Sequence, residues 1–229
     1  MIHRFIRTYA IPAEEAEKTI DQYESLNEFF TRRLKPGSRI VDEAADTVIS
    51  PVDALITGAG EIKDGQLMNV KGQDYTLEEL LNRSPRVVNY EHGFYIVLYL
   101  SPSDYHRIHA PCGGKLVERE HIPGKTYPVN DYGMRRLRRV LSRNERLVTY
   151  IRGDMGEVAV VKVGALNVSS IRYVDPLPNV VAKGDELAYF EFGSTVVLLL
   201  ENGKFEPRRD LMVNLRVKMG ESLGTMRRS

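Results

Sequence analysis

From Thr47 to the end of the chain, apolar residues come in short or alternating runs bounded by glycine, proline and aspartate, and no other feature restricts the fold so tightly. Branched and aromatic residues in runs of this length, punctuated by turn formers, predict β-strands. Candidate strands are 55–62, 66–71, 94–100, 115–122, 146–151, 157–163, 167–174 and 187–200, the last broken near Gly193. Strands do not alternate with helices as a parallel sheet would require, and no segment repeats at a fixed period. The expected class is α+β, mainly antiparallel β. The expected layout is a compact β-sandwich or barrel-like domain over 41–229, behind an N-terminal helical, membrane-associating appendage over 1–40.

Before Thr47 the pattern is helical. Met1 to Ile11 mixes Arg4 and Arg7 with Ile2, Phe5, Ile6, Tyr9 and Ile11, a spacing that a helix sorts into a basic and an apolar face. That pattern suits a helix lying on an anionic membrane and equally a terminal helix packed on a core. Pro12 favours a helix start, and Ala13 to Lys18 continues with good helix formers. Ser25 with Glu28, and Thr76 with Glu79, have the spacing of capping boxes for short helices through Phe29-Phe30 and over 76–81.

A net charge of +1 gives no whole-molecule field for nucleic acid, so basic residues matter only where they cluster. The strongest cluster, Met134 to Arg143, carries five arginines among large apolar residues. Such a segment suits a phosphate-rich lipid surface, where each basic residue contributes on the order of 1 kcal/mol. Arg135, Arg136, Arg138 and Arg139 are therefore candidate membrane contacts. A solvated face paired with local acids is the ordinary alternative, and nucleic acid is a weaker one, lacking a basic domain or an aromatic stacking pattern. The single Cys112 excludes an intramolecular disulfide and a cysteine-based metal cluster. No apolar run approaches the roughly 18–20 residues of a membrane span, and none has the form of a signal peptide, which predicts a soluble or peripheral protein.

Chemistry concentrates in three places. Phe190 to Leu200 is strand-like except for the small polar step Gly193-Ser194-Thr195, which is ordinarily a bulge or turn with an inert hydroxyl. Ser50-Pro51-Val52-Asp53-Ala54 and Ser103 to Pro111 are two further polar clusters, the second holding Asp104, His106 and His109. A carboxylate, an imidazole and a hydroxyl suffice for a base-activated serine: aspartate steadies the imidazole, which removes the hydroxyl proton as attack begins. Zinc held by both histidines with Asp53 or Asp104 would need a turn at 106–109 and has no recognisable third-ligand motif, so no metal is expected. A serine hydrolase using Asp53, His109 and Ser194 on an external ester, or a lipid-binding β domain with no chemistry, fits these residues too.

In combination the segments resemble the phosphatidylserine decarboxylases, pyruvoyl-dependent enzymes, most closely the short bacterial type. The likeness runs through Leu26-Asn27-Glu28-Phe29-Phe30-Thr31-Arg32-Arg33-Leu34-Lys35-Pro36, Ser50-Pro51-Val52-Asp53, Val70-Lys71-Gly72, Tyr99-Leu100-Ser101-Pro102, Asp104 to His109, Tyr127-Pro128-Val129-Asn130, Val163-Gly164-Ala165 and Phe192-Gly193-Ser194-Thr195. It implies a proenzyme that cuts itself between Gly193 and Ser194. The Ser194 hydroxyl would convert the preceding amide to an ester, and elimination and hydrolysis would leave a pyruvoyl group as cofactor. Asp53 and His109 would activate Ser194. His106 would serve decarboxylation as proton donor or carboxylate-orienting group. The substrate, phosphatidylserine, would become phosphatidylethanolamine and carbon dioxide through a Schiff base. The resemblance also implies a peripheral protein on the cytoplasmic face of an anionic membrane and a homodimer of processed heterodimers, with no nucleic acid.

Two departures stand out. Ala54 replaces the family's usual glycine after the aspartate, so a left-handed backbone there would displace Asp53. The N-terminal region is shorter than in many relatives, which bears on membrane grip and dimerisation more than on chemistry.

Overall fold

A computed structural model describes residues 1–70, 72–129, 136–165, 171–191 and 194–227, with all side chains but those of residues 68, 69 and 194. An eight-stranded antiparallel sheet runs in the order Val180–Val181, Gly114–Ile122, Arg146–Gly153, Gly156–Val163, Ser194–Leu200, Phe94–Leu100, Ala54–Glu61, Arg216–Val217. The first and last strands do not meet, so the sheet is open and the architecture is a sandwich, not a barrel. Two three-stranded sheets cover one face: Thr47–Ile49, Ser222–Met226 and Phe205–Pro207; and Ile171–Tyr173, Glu186–Phe190 and Arg107–His109. Ile56, Leu98, Val160, Val196 and Leu198 of the large sheet share a core there with Val48, Ile108, Phe190 and Leu223.

The opposite face carries Val97, Val161, Val197 and Leu199, which pack with Leu67, Tyr75, Leu77 and Leu80 of the hairpin Gln66–Val70/Gln73–Thr76 and the helix Leu77–Leu80. Burial on both faces is why Val196 to Leu200 reads as a continuous apolar run instead of alternating. Each such side chain contributes about 1.5–3 kcal/mol by leaving water. Gly93 opens the strand Phe94–Leu100 at a place only glycine fits, because a Cβ there would lie 2.0 Å from the Leu200 carbonyl oxygen.

The long predicted strands form within a residue or two of their expected bounds, except at 167–174, where Ile171–Tyr173 is a strand and 167–170 lies outside the described residues. The run 187–200 divides into Glu186–Phe190 and Ser194–Leu200, which belong to different sheets. The expected break thus separates strands of two different sheets, and Gly193 itself lies outside the described residues. Ala54 begins a strand and is absent from the left-handed positions, so the lost glycine is not needed for backbone geometry.

At the N-terminus the helix Ile2–Tyr9 lays Ile2, Phe5 and Ile6 against Ile11, Ala16, Tyr23 and Phe29, with Arg4 and Arg7 facing solvent. The helix expected over 13–18 does not form. A single 3-10 turn, Ala13–Glu15, gives way to extended chain, because Glu17 N–H donates to Arg33 O and Lys35 N–H to Glu15 O. Tertiary pairing overrides helix propensity there. Ser25 caps Leu26–Phe30 through Glu28 N–H, while the Glu28 carboxylate accepts from Glu24 N–H, so the box is not reciprocal. Among the described residues no helix is long and apolar enough to cross a membrane.

Candidate active site

Two crossings between sheets run side by side. In the large sheet Ser194 lies opposite Leu100. In the small sheet Tyr189 lies opposite Arg107, and Phe190 N–H donates to His106 O at 3.0 Å. The chain after Leu100 and the chain after Phe190 therefore each connect the large sheet with this small one. His106 precedes the strand Arg107–His109 at the end of the first connection, and Ser194 opens the strand after the second. Gly193 and the Ser194 side chain lie outside the described residues, so the placement rests on the register of their neighbours.

The His106 ring is fully buried against Phe30, with ring centroids 3.9 Å apart. Its Nδ1 is 2.8 Å from the Asp104 carbonyl oxygen. A carbonyl only accepts, so Nδ1 carries the proton and Nε2 the lone pair. That Nε2 is buried and has no hydrogen-bond partner among the described residues. Burial lowers the ring's pKa to about 3, so the imidazole is neutral at neutral pH. Asp104 is itself clamped: its carboxylate accepts from Ser101 N–H, from the Ser101 hydroxyl and from Arg216.

His109 lies in the strand Arg107–His109. Its Nδ1–H donates to the Gly184 carbonyl at 2.6 Å, and Nε2 faces the Tyr105 hydroxyl at 3.0 Å. Burial of the ring lowers its pKa, opposed in part by Glu186 and Asp53. Burial also raises the Tyr105 phenol, which stays protonated and donates to Nε2. Asp53 is nearly buried, and its carboxylate takes two donors from Arg39 and one from Met219 N–H, the last at 2.9 Å. Asp53 and His109 thus share a neighbourhood and an electrostatic coupling, while each directs its hydrogen bonds elsewhere. A small cavity of about 170 Å³ opens between Arg33, Arg39, Tyr105, His109, Glu186 and Met219.

The family model for phosphatidylserine decarboxylase matches residues 26–225. The chain belongs to the phosphatidylserine decarboxylase family. Three relatives carry the name phosphatidylserine decarboxylase proenzyme. That of Geobacillus kaustophilus (strain HTA426) is 42% identical over 224 residues, covering 98% of this chain and 84% of the relative. That of Brevibacillus brevis (strain 47 / JCM 6285 / NBRC 100599) is 41% identical over 243 residues, covering 98% and 87%. That of Bacillus thuringiensis subsp. konkukian (strain 97-27) is 40% identical over 225 residues, covering 98% and 86%.

Within this decarboxylase-family site, several contributing residues gave no chemical signal of their own. Phe30 stacks on His106, Arg33 binds Glu186 and Arg39 binds Asp53, so the segment before residue 41 supplies three site contacts. Glu186 lies opposite His109; burial works against its charge, but Arg33 and Arg107 outweigh it and hold the carboxyl below its usual range. Phe30 and Arg33 sit in the segment that carries the family likeness, whereas Arg39 and Glu186 have no sequence mark.

The candidate membrane contacts lie apart from this cluster. Arg135 is outside the described residues, Arg136 and Arg138 are exposed, and Arg139 is ion-paired with Glu79. Within the described residues 136–143, Arg139 has a left-handed backbone, and a short helix, Val140–Arg143, follows it.

Proposed function

We propose that the chain is a self-processing phosphatidylserine decarboxylase, cut between Gly193 and Ser194, that converts phosphatidylserine to phosphatidylethanolamine and carbon dioxide. The observation that carries this reading is the buried Nε2 of His106, without a partner among the described residues, on the residue whose main chain pairs with Phe190 shortly before the proposed cut. A buried acceptor without a partner costs roughly 1–3 kcal/mol, a strain expected where a reacting group is to be received. It also fits a pyruvoyl group made from Ser194, whose carbonyl would supply an electron sink for the electrons left by carbon dioxide.

The chain's own residues divide the work. The Ser194 hydroxyl attacks the Gly193 carbonyl. His109 is already in the form a base requires, neutral with its lone pair on Nε2, and takes the proton after that nitrogen exchanges Tyr105 for Ser194. Asp53 favours the resulting imidazolium by its charge, without a hydrogen bond to the ring. His106, sealed from water by Phe30, serves decarboxylation as proton donor or carboxylate-orienting group once Nε2 has taken up a proton, because the lone pair it carries here can only accept. The lipid substrate places the protein at an anionic membrane, and we assign it to the cytoplasmic face as a peripheral protein. In this reading residues 1–40 form a membrane-associating segment, 41–229 the catalytic domain, and the assembly is a homodimer of processed heterodimers.

Intact mass spectrometry with a phosphatidylserine turnover assay tests the reading. Active wild-type protein is expected as two fragments, and Ser194→Ala as one full-length chain without activity. Full-length mass in a fully active preparation would sink the proposal and favour a hydrolase.

A further inference from the structure

On the face of the large sheet that carries the helix Leu77–Leu80, a groove of about 680 Å³ lies between that helix and Val140–Arg143. Four arginines line it: Arg83, Arg139, Arg143 and Arg146. Arg146 forms the floor and is 3% exposed. Its guanidinium donates to four main-chain carbonyls, those of Glu79, Leu80, Ser142 and Asn144, and to no carboxylate among the described residues. Carbonyl dipoles hold the group in place but do not cancel its charge. Burial accordingly pulls its pKa down to about 10, the mark of a cation without a counter-ion.

The rim has the same bias. Arg83 is exposed at the groove's mouth, and Arg143 lies over the Tyr127 ring, 5.1 Å from its centroid. Two carboxylates line the groove, Glu78 and Glu79, and Glu79 is committed to Arg139. Asn82, Arg83 and Arg139 all hold left-handed backbones, so three of the six non-glycine residues in that conformation among the described residues border this one groove. Such strain collects where a fixed side-chain placement is needed.

We infer that this groove is an anion site for a phosphate group, held by Arg83 and Arg143 above the buried guanidinium of Arg146. Planar guanidinium forks match phosphate oxygens two at a time, and an anion on the floor would supply the missing counter-charge. The same chemistry serves a phospholipid headgroup and a free phosphate. The position suits a headgroup: Arg146 lies opposite Val163, and Val163 opposite Thr195, so the Arg146 backbone is two strand spacings, about 10 Å, from that of Thr195, the residue after Ser194.

Calorimetric titration with inorganic phosphate tests the site, using wild type, Arg83→Gln/Arg143→Gln, and Arg209→Gln/Lys218→Gln as an equal-charge control outside the groove. The buried Arg146 is left in place so that the variants fold. Saturable binding is expected in wild type and in the control, with a loss of roughly tenfold or more in the groove variant. Flotation with phosphatidylcholine vesicles, with and without phosphatidylglycerol, assigns the source. Vesicle binding that falls in the groove variant and is competed by phosphate means a lipid headgroup, whereas unchanged vesicle binding beside lost phosphate binding means a free phosphate. Absence of saturable phosphate binding in wild type, or equal affinity in all three proteins, overturns the site. Repeating the titration on uncut Ser194→Ala separates failure of the groove from failure of processing.

Discussion

His106 and His109 are both neutral imidazoles with the proton on Nδ1, and they differ in what faces Nε2. In His109 the lone pair is already engaged by a hydroxyl; in His106 it has no partner among the described residues. In the proposed function that difference divides the two steps. His109→Ala should abolish or severely slow self-cleavage, and His106→Ala should still cut at least in part while turnover drops by about 10²–10⁴-fold. Gel analysis of fragments beside a turnover assay reads both, and normal cutting by His109→Ala would remove its role as base. The residue types at Asp53, His106, His109 and Ser194 were legible because each brings chemistry few other side chains have. Their hydrogen-bond partners were not legible: Arg39, Gly184 and Tyr105 reach them through sheet register and loop closure, which no local pattern records.

The strand Gly156–Val163 raises a different question, because it carries a fully buried lysine. Lys162 shares a sheet face with Val158 and Val160, and its Nζ donates to Thr149 Oγ1 at 2.7 Å and to Val160 O at 3.1 Å. Burial lowers its pKa from 10.5 to about 7. Between those values the unfolded chain binds the extra proton, so this group makes stability rise with pH, by at most about 1.4 kcal/mol per unit. Urea midpoints measured from pH 7 towards pH 10 should climb in wild type, and Lys162→Met should flatten the climb. An unchanged slope would clear Lys162 as its source. Elements were legible in proportion to their length. Phe94–Leu100 was found to the residue, whereas strands of two or three residues such as Val180–Val181, Arg107–His109 and Arg216–Val217 offer too few positions to show a period. The lost helix at 13–18 shows the converse, local preference yielding to pairing with residues 33–35.

Across the whole molecule, the crossings beside the proposed cut and the arginine groove lie on the same rim of the large sheet, where Ile122, Arg146, Val163, Ser194 and Leu100 end or begin their strands. A bilayer meeting that rim would meet the site. Replacing Arg135, Arg136, Arg138 and Arg139 by alanine should weaken vesicle binding at low salt, each charge being worth on the order of 1 kcal/mol. Binding unchanged in a sedimentation assay would reject that contact. The mainly antiparallel β class was readable from spacing. The choice between sandwich and barrel and the assignment of strands to four sheets were not, because antiparallel ladders between distant segments are decided by packing.

The strand Ser194–Leu200 is flanked on both sides, by Phe94–Leu100 and by Gly156–Val163, along nearly its whole length. A cut before it severs the covalent path and leaves those two ladders intact. The folded enzyme would then be a complex between a fragment ending at 193 and one beginning at 194, the smaller threaded through the middle of the larger one's sheet. Unfolding would release two molecules from one, and recovery would need them to meet again at a rate set by their concentrations. Processing thereby makes maturation a one-way event for the fold as well as for the peptide bond.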